Sequence, residues 1–234
     1  MESTKQTFQK TTTHTGILID LLIYIAVMFL VRQVYIPNLF SLLNGLCWTL
    51  TTLIVATWRI KARGYTWKDL GLTKPKNFKK TLLASVIITI VIAITLIAFN
   101  ILQDQFNFLN QPEEPKVKVF DSVFGNLKGN WWLLLSIMPI VLIESFLEEL
   151  LDRAFLITWF EQLFSKTGIA TILAVILQAS IFGFRHSNDF SERSITVALI
   201  GLIMGIAYIK LDRNLWPIII AHCILNTMSM IERV

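Results

Sequence analysis

The chain alternates long apolar runs with short polar connections. Seven runs stand out, at residues 16–36, 39–58, 81–102, 131–160, 168–184, 195–209 and 215–230. Most approach the roughly 20 residues that a helix rising about 1.5 Å per residue needs to cross about 30 Å of hydrocarbon. None shows the strict two-residue alternation of a barrel strand, and lipid offers backbone amides no partner outside a helix or a closed barrel. The pattern therefore predicts an all-α fold, a polytopic transmembrane helix bundle of about seven helices, bounded by six and eight. The first run follows Lys5 and Lys10, as a signal peptide would. It is long and lacks a small-residue cleavage site, so it is expected to stay as the first span.

Composition sharpens this picture. Of 234 residues, 54% are hydrophobic and 16% charged, against about 25% charged in an ordinary soluble domain. The expected setting is an integral, multi-pass protein of a bacterial-type cell membrane, with the lipid bilayer as its first partner. No repeat, Gly/Ser linker or second domain is visible, so residues 1–234 read as a single domain. The formal net charge of +5 does not imply a nucleic-acid partner. Arg59, Lys61, Arg63, Lys68, Lys74, Lys76, Lys79 and Lys80 all fall in one connection with a single acid, Asp69. Such a cluster marks a cytoplasmic loop, which also places the N-terminus inside. Cys47 and Cys223 lie within apolar runs and read as core residues, neither disulfide nor metal pair. The 103–130 connection carries Pro112 and Pro115, and reads as a connection rather than a lid.

The fourth run breaks the apolar rule. Glu144, Glu148, Glu149, Asp152 and Arg153 interrupt it, and each charge costs about 2.5–3.5 kcal/mol at the bilayer centre even on lenient scales. A protein or water interior is required, or else the run ends early and the charges sit solvated at the interface. Residues four apart share a helix face. Glu144, Glu148 and Asp152 then form one stripe, and Glu149 pairs with Arg153, leaving Glu148 without an obvious permanent partner and suited to proton transfer.

Beyond His14 in the N-terminal tail, the chain has two histidines, and both lie in apolar sequence. His186 closes Phe182-Gly-Phe-Arg-His186, and His222 stands four residues before Asn226. Following the fourth helix down ~22 Å past Glu149 and the fifth back up ~27 Å brings His186 to a similar depth, with His222 within roughly 10 Å. One site built from three helices is feasible.

In order, Glu148-Glu149-x-x-x-Arg153, Phe182-x-x-x-His186 and His222-x-x-x-Asn226 resemble the signature of the CPBP family, the CAAX proteases and bacteriocin-processing enzymes also called Abi. The similarity covers about residues 139–228. Trp67-Lys-Asp-Leu-Gly-Leu72 also resembles a recurrent feature of the family. The resemblance implies an intramembrane endopeptidase that hydrolyses a peptide bond of a membrane-associated or exported peptide. It casts Glu148 as the base that activates water, His186 as a holder of that water, and His222 and Asn226 as oxyanion stabilisers, with Glu149 and Arg153 shaping the site. Asp152 and Ala154 depart from the family, which often has an aromatic residue and a glycine there. No cofactor is expected. The alternative is a divalent metal such as zinc at Glu148, His186 and His222, against which stand the lack of a His-Glu-x-x-His helix and the partner that Arg153 offers Glu149.

Two other functions fit buried acids and histidines: a proton-coupled transporter, and a non-catalytic membrane scaffold or bacteriocin-immunity protein on the same fold. No inverted repeat supports the transporter. With the basic loop inside and seven alternating spans, His186 falls near the outer end of its helix. The site is then expected to open to the non-cytoplasmic side or near mid-membrane.

Overall fold

A computed structural model describes residues 13–37, 39–106, 124 and 126–234. Its helices are α1 (His14–Leu30), α2 (Ser41–Ala62), α3 (Phe78–Phe106), α4 (Trp131–Glu149), α5 (Thr158–Leu163), α6 (Ala170–Ser187), α7 (Glu192–Lys210) and α8 (Leu215–Ile231). Between α4 and α5 the backbone does not break. It widens into a π-helix over Leu150–Ile157, so the three segments form one rod. The seven rods match the seven apolar runs, and no strand occurs among the described residues.

Among the described residues, five helices are long and apolar enough to cross a membrane: His14–Gln33, which includes a short 3-10 turn after α1, then α2, α3, α6 and α7. Helix α8 is shorter, at 17 residues, and the α4 rod carries the charged cluster. This is an integral, multi-pass helical bundle. The 103–130 connection lies largely outside the described residues, as do Lys5 and Lys10.

Helix ends follow local chemistry. Thr13 accepts the Gly16 amide at 3.2 Å, Asn130 the Leu133 amide at 3.0 Å, and Asn214 the Trp216 amide at 3.1 Å. Each satisfies a backbone donor that the first helical turn leaves unpaired. Helix α3 starts three residues before the apolar run, where Asn77 accepts the Lys80 amide, and it continues to Phe106.

The outside of the bundle is apolar. On α3 the buried residues are Thr81, Ser85, Ile88, Thr89 and Ile92, while Leu83, Ile87, Ile94 and Ile97 point outward. Thr81, Ser85 and Thr89 pack between helices beside Ile88 and Ile92 while other large aliphatic side chains face outward, because lipid tails are as apolar as a core and leave no reason to hide them. The same logic corrects the reading of the cysteines. Cys223 packs partly buried against the core, but Cys47 is exposed on α2.

The two ends of the bundle are tied differently. At one end, Arg213 Nη2 donates to Glu161 Oε2 at 2.7 Å and Thr171 Oγ1 donates to Glu161 Oε1 at 2.7 Å. There too the Leu215 amide donates to Gly71 O at 3.3 Å and Tyr208 Oη donates to Leu70 O at 3.0 Å. Gly71 has φ +99°, and a Cβ on it would fall 1.8 Å from the Arg213 carbonyl oxygen. Only glycine fits that close approach. Trp67–Leu72 is thus a clasp that ties the α2–α3 connection to the α7–α8 turn. At the opposite end, the Gly129 amide donates to Val234 O at 2.8 Å.

Candidate active site

The π-helix sets the geometry. All eight of its residues are buried, Asp152 and Arg153 included, and π turns within α-helices recur at functional sites. Glu149, Asp152 and Arg153 have no solvent exposure. The interfacial alternative does not hold for these three charges, which lie inside the protein, while Glu144 and Glu148 are partly exposed.

Arg153 Nε lies 3.2 Å from Glu149 Oε2, the pair expected from their spacing. Its guanidinium also stacks 4.3 Å over the Phe182 ring. The other carboxylate oxygen, Glu149 Oε1, sits 2.7 Å from His222 Nδ1. A carboxylate holding one ring nitrogen fixes the orientation of the imidazole and aims the other nitrogen. That nitrogen, His222 Nε2, points at Glu148 Oε2 from 3.7 Å. From α6, His186 Nδ1 engages the Phe182 carbonyl at 2.7 Å, and its Nε2 lies 3.8 Å from Glu148 Oε1. The structure thus gathers Glu148, His186 and His222, with Glu149 and Arg153 behind them. Side-chain exposure is graded, 25% at His186, 17% at Glu148, 8% at His222 and 0% at Glu149. Access runs from the His186 side, and His186 is the penultimate residue of α6, close to the 188–191 turn.

Asn226 stands apart from this group. Its Nδ2 donates to Ser145 Oγ at 2.8 Å, and Ser145 donates on to the Val141 carbonyl at 2.8 Å. Asn226 binds α8 to α4 one turn before the glutamate pair.

Glu148 does have a permanent partner. Arg185 Nη2 donates to Glu148 Oε1 at 3.1 Å, while Nη1 and Nη2 hold the two Asp152 oxygens at 3.2 and 2.9 Å. The spacing rule within one helix could not find a partner on another helix. A signal did exist: Gln178, Phe182 and Arg185 are buried and share one face of α6, so a charge on an otherwise apolar helix was aimed inward.

Arg185 brings a cation to the Glu148 carboxylate, Glu149 is engaged by Arg153 and His222, and no group of three His, Cys, Asp or Glu side chains among the described residues is arranged to hold a metal ion.

Acids and histidines from three helices of the bundle thus converge on one partly accessible carboxylate. Residues 130–228 match the family model of Rce1-like proteins, described as type II CAAX prenyl endopeptidase Rce1-like. The stretch from the start of α4 through most of α8 is thus similar to the CAAX protease (CPBP) family, and this likeness supports a protease acting on a peptide at the membrane. No curated protein and no solved structure matches the chain.

Proposed function

We propose that this protein is a glutamate-type intramembrane endopeptidase, in which Glu148 removes a proton from water as that water attacks a peptide carbonyl. One observation carries the reading: the Nε2 atoms of His186 and His222 flank the Glu148 carboxylate at 3.8 and 3.7 Å. These separations exceed a direct hydrogen bond and suit groups that share one small molecule between them. His186 gives its Nδ1–H to the Phe182 carbonyl, so in its neutral form Nε2 accepts a hydrogen from the water. Glu148 accepts the other. His222, in the form that carries both ring protons, keeps Glu149 on Nδ1 and offers Nε2–H to the oxygen that becomes negative. Asn226 assists by fixing α8 against α4, and its second amide hydrogen extends the same donor set if the amide turns toward the substrate. No metal takes part.

The substrate is a membrane-associated or exported peptide. The family description names prenyl-peptide processing, so a prenylated peptide is one form to test. With the basic 59–80 connection in the cytoplasm, the accessible His186 edge faces the other side, which favours an exported peptide.

The test compares membrane and secreted peptides from cells carrying wild-type protein or Glu148→Gln, followed by cleavage of the differing peptides, prenylated and unprenylated, by purified protein. Peptides that depend on Glu148 are expected, with turnover within about two-fold of its starting value after a metal chelator. Unchanged turnover in Glu148→Gln would remove the general base, and loss of activity to the chelator would restore the metal reading.

A further inference from the structure

The charges of the centre divide unevenly between two arginines. Arg153 is committed to Glu149 and to the ring of Phe182. Arg185 serves two acids at once, since its Nη2 carries two hydrogens, one directed to Asp152 Oδ2 at 2.9 Å and one to Glu148 Oε1 at 3.1 Å. Its Nη1 completes a two-point grip on Asp152 at 3.2 Å. A planar guanidinium held at two points cannot rotate freely, so its third bond has a fixed direction. That bond pins one oxygen of Glu148. The other oxygen, Oε2, is left facing His222 Nε2.

We infer that Arg185 is a positioning residue that anchors Glu148 by Oε1 and reserves Oε2 for the proton of the attacking water, with Asp152 as the counter-ion that holds Arg185 in place. This rests on the hydrolytic reading above and assigns roles to two residues outside the family signature. Asp152 also shares the positive charge of Arg185, which would otherwise fall on Glu148 alone and weaken it as a base.

A double replacement separates positioning from packing. Asp152→Leu and Arg185→Leu, made singly, each leave a buried charge unpaired and lower the folded yield. The pair made together removes both charges, and apolar side chains of similar size commonly restore stability in such cases. The double variant is therefore expected to fold at near wild-type yield with kcat about 10- to 100-fold down and KM within about two-fold, the effect of a misplaced reacting group. Arg185→Lys, which lacks the fork, is expected to recover part of kcat. A second readout needs no substrate: the infrared carboxylate band of Glu148, isolated by difference against Glu148→Gln, is expected to shift when Arg185 is lost. Wild-type kcat in the double variant, or an unshifted band, would overturn the assignment. Glu148→Gln run alongside keeps the failures distinct. If it retains turnover, the hydrolytic reading falls; if it is inactive while the double variant is normal, only the positioning role falls.

Discussion

Two clusters of buried charge lie within this bundle, and they differ in how completely they are satisfied. The first is centred on Asp20 of α1, which is fully buried. It receives Arg63 Nε at 2.7 Å and Nη2 at 3.0 Å, an ion pair from Arg59, and Trp159 Nε1 at 3.2 Å. Four donors fill the roughly four acceptor positions of one carboxylate. Gly16 allows this approach, because a Cβ there would lie 2.7 Å from Arg63 Nη2. The second cluster gives Glu148 one firm donor, Arg185, and two histidine nitrogens beyond bonding distance. A saturated carboxylate can only hold helices together. An unsaturated one with movable protons beside it has capacity left for chemistry.

The comparison breaks first at its reactive member. Glu148→Gln, His186→Ala and His222→Ala are each expected to abolish peptide cleavage, a loss on the order of 100- to 1000-fold or more, while leaving an inserted, folded protein by size exclusion and thermal melting. A Glu148→Gln protein that cannot be purified folded would show that this cluster is also a structural tie. Arg153→Ala should fall between the two kinds, because it leaves Glu149 buried with His222 as its remaining partner, at a cost of up to about 3–5 kcal/mol. Reduced yield together with reduced activity is expected, with Arg153→Lys recovering only part. Asp20→Asn should cost about 1.5–3 kcal/mol, the worth of hydrogen bonds to a charged group, read as a lower melting temperature, while cleavage per folded molecule stays within about two-fold. A large drop in specific activity would mean that the two clusters communicate. The last measurement fixes which cluster faces which compartment. In a Cys47→Ser, Cys223→Ser background, an impermeant thiol reagent added to intact cells is expected to label Ser191→Cys and spare Lys74→Cys. The opposite pattern would place the accessible edge of the site in the cytoplasm.

Much of this was legible from residue pattern alone. Hydropathy located the seven rods seen among the described residues, and the four-residue spacing of Glu149 and Arg153 predicted their pair, because both rest on the geometry of a single helix. What spans two helices was not legible. Arg185 reaches Asp152 and Glu148 across the gap from α6 to the α4 rod, and no spacing within one segment encodes that distance. Asp20 passed unnoticed as a lone acid near the start of an apolar run, although Arg59 and Arg63 balance it from the next helix. The π-helix was also hidden, since its residues are those an α-helix would equally accept. Cys47 was misplaced because burial in lipid and burial in protein leave the same apolar signature.

The clasp at Gly71 bears on the order of biosynthesis. The Trp67–Leu72 segment is made before α3, yet its partners, Arg213 and Leu215, are made only after α7. Until then the basic connection has nothing to fasten to, and the polar centre lacks His222, which follows the clasp by two turns of helix. Closing the bundle and supplying the last histidine are thus one event in time. A nascent chain stalled between His186 and that turn carries Glu148 and His186 without His222 opposite them, so the polar centre stays incomplete until the bundle is fastened.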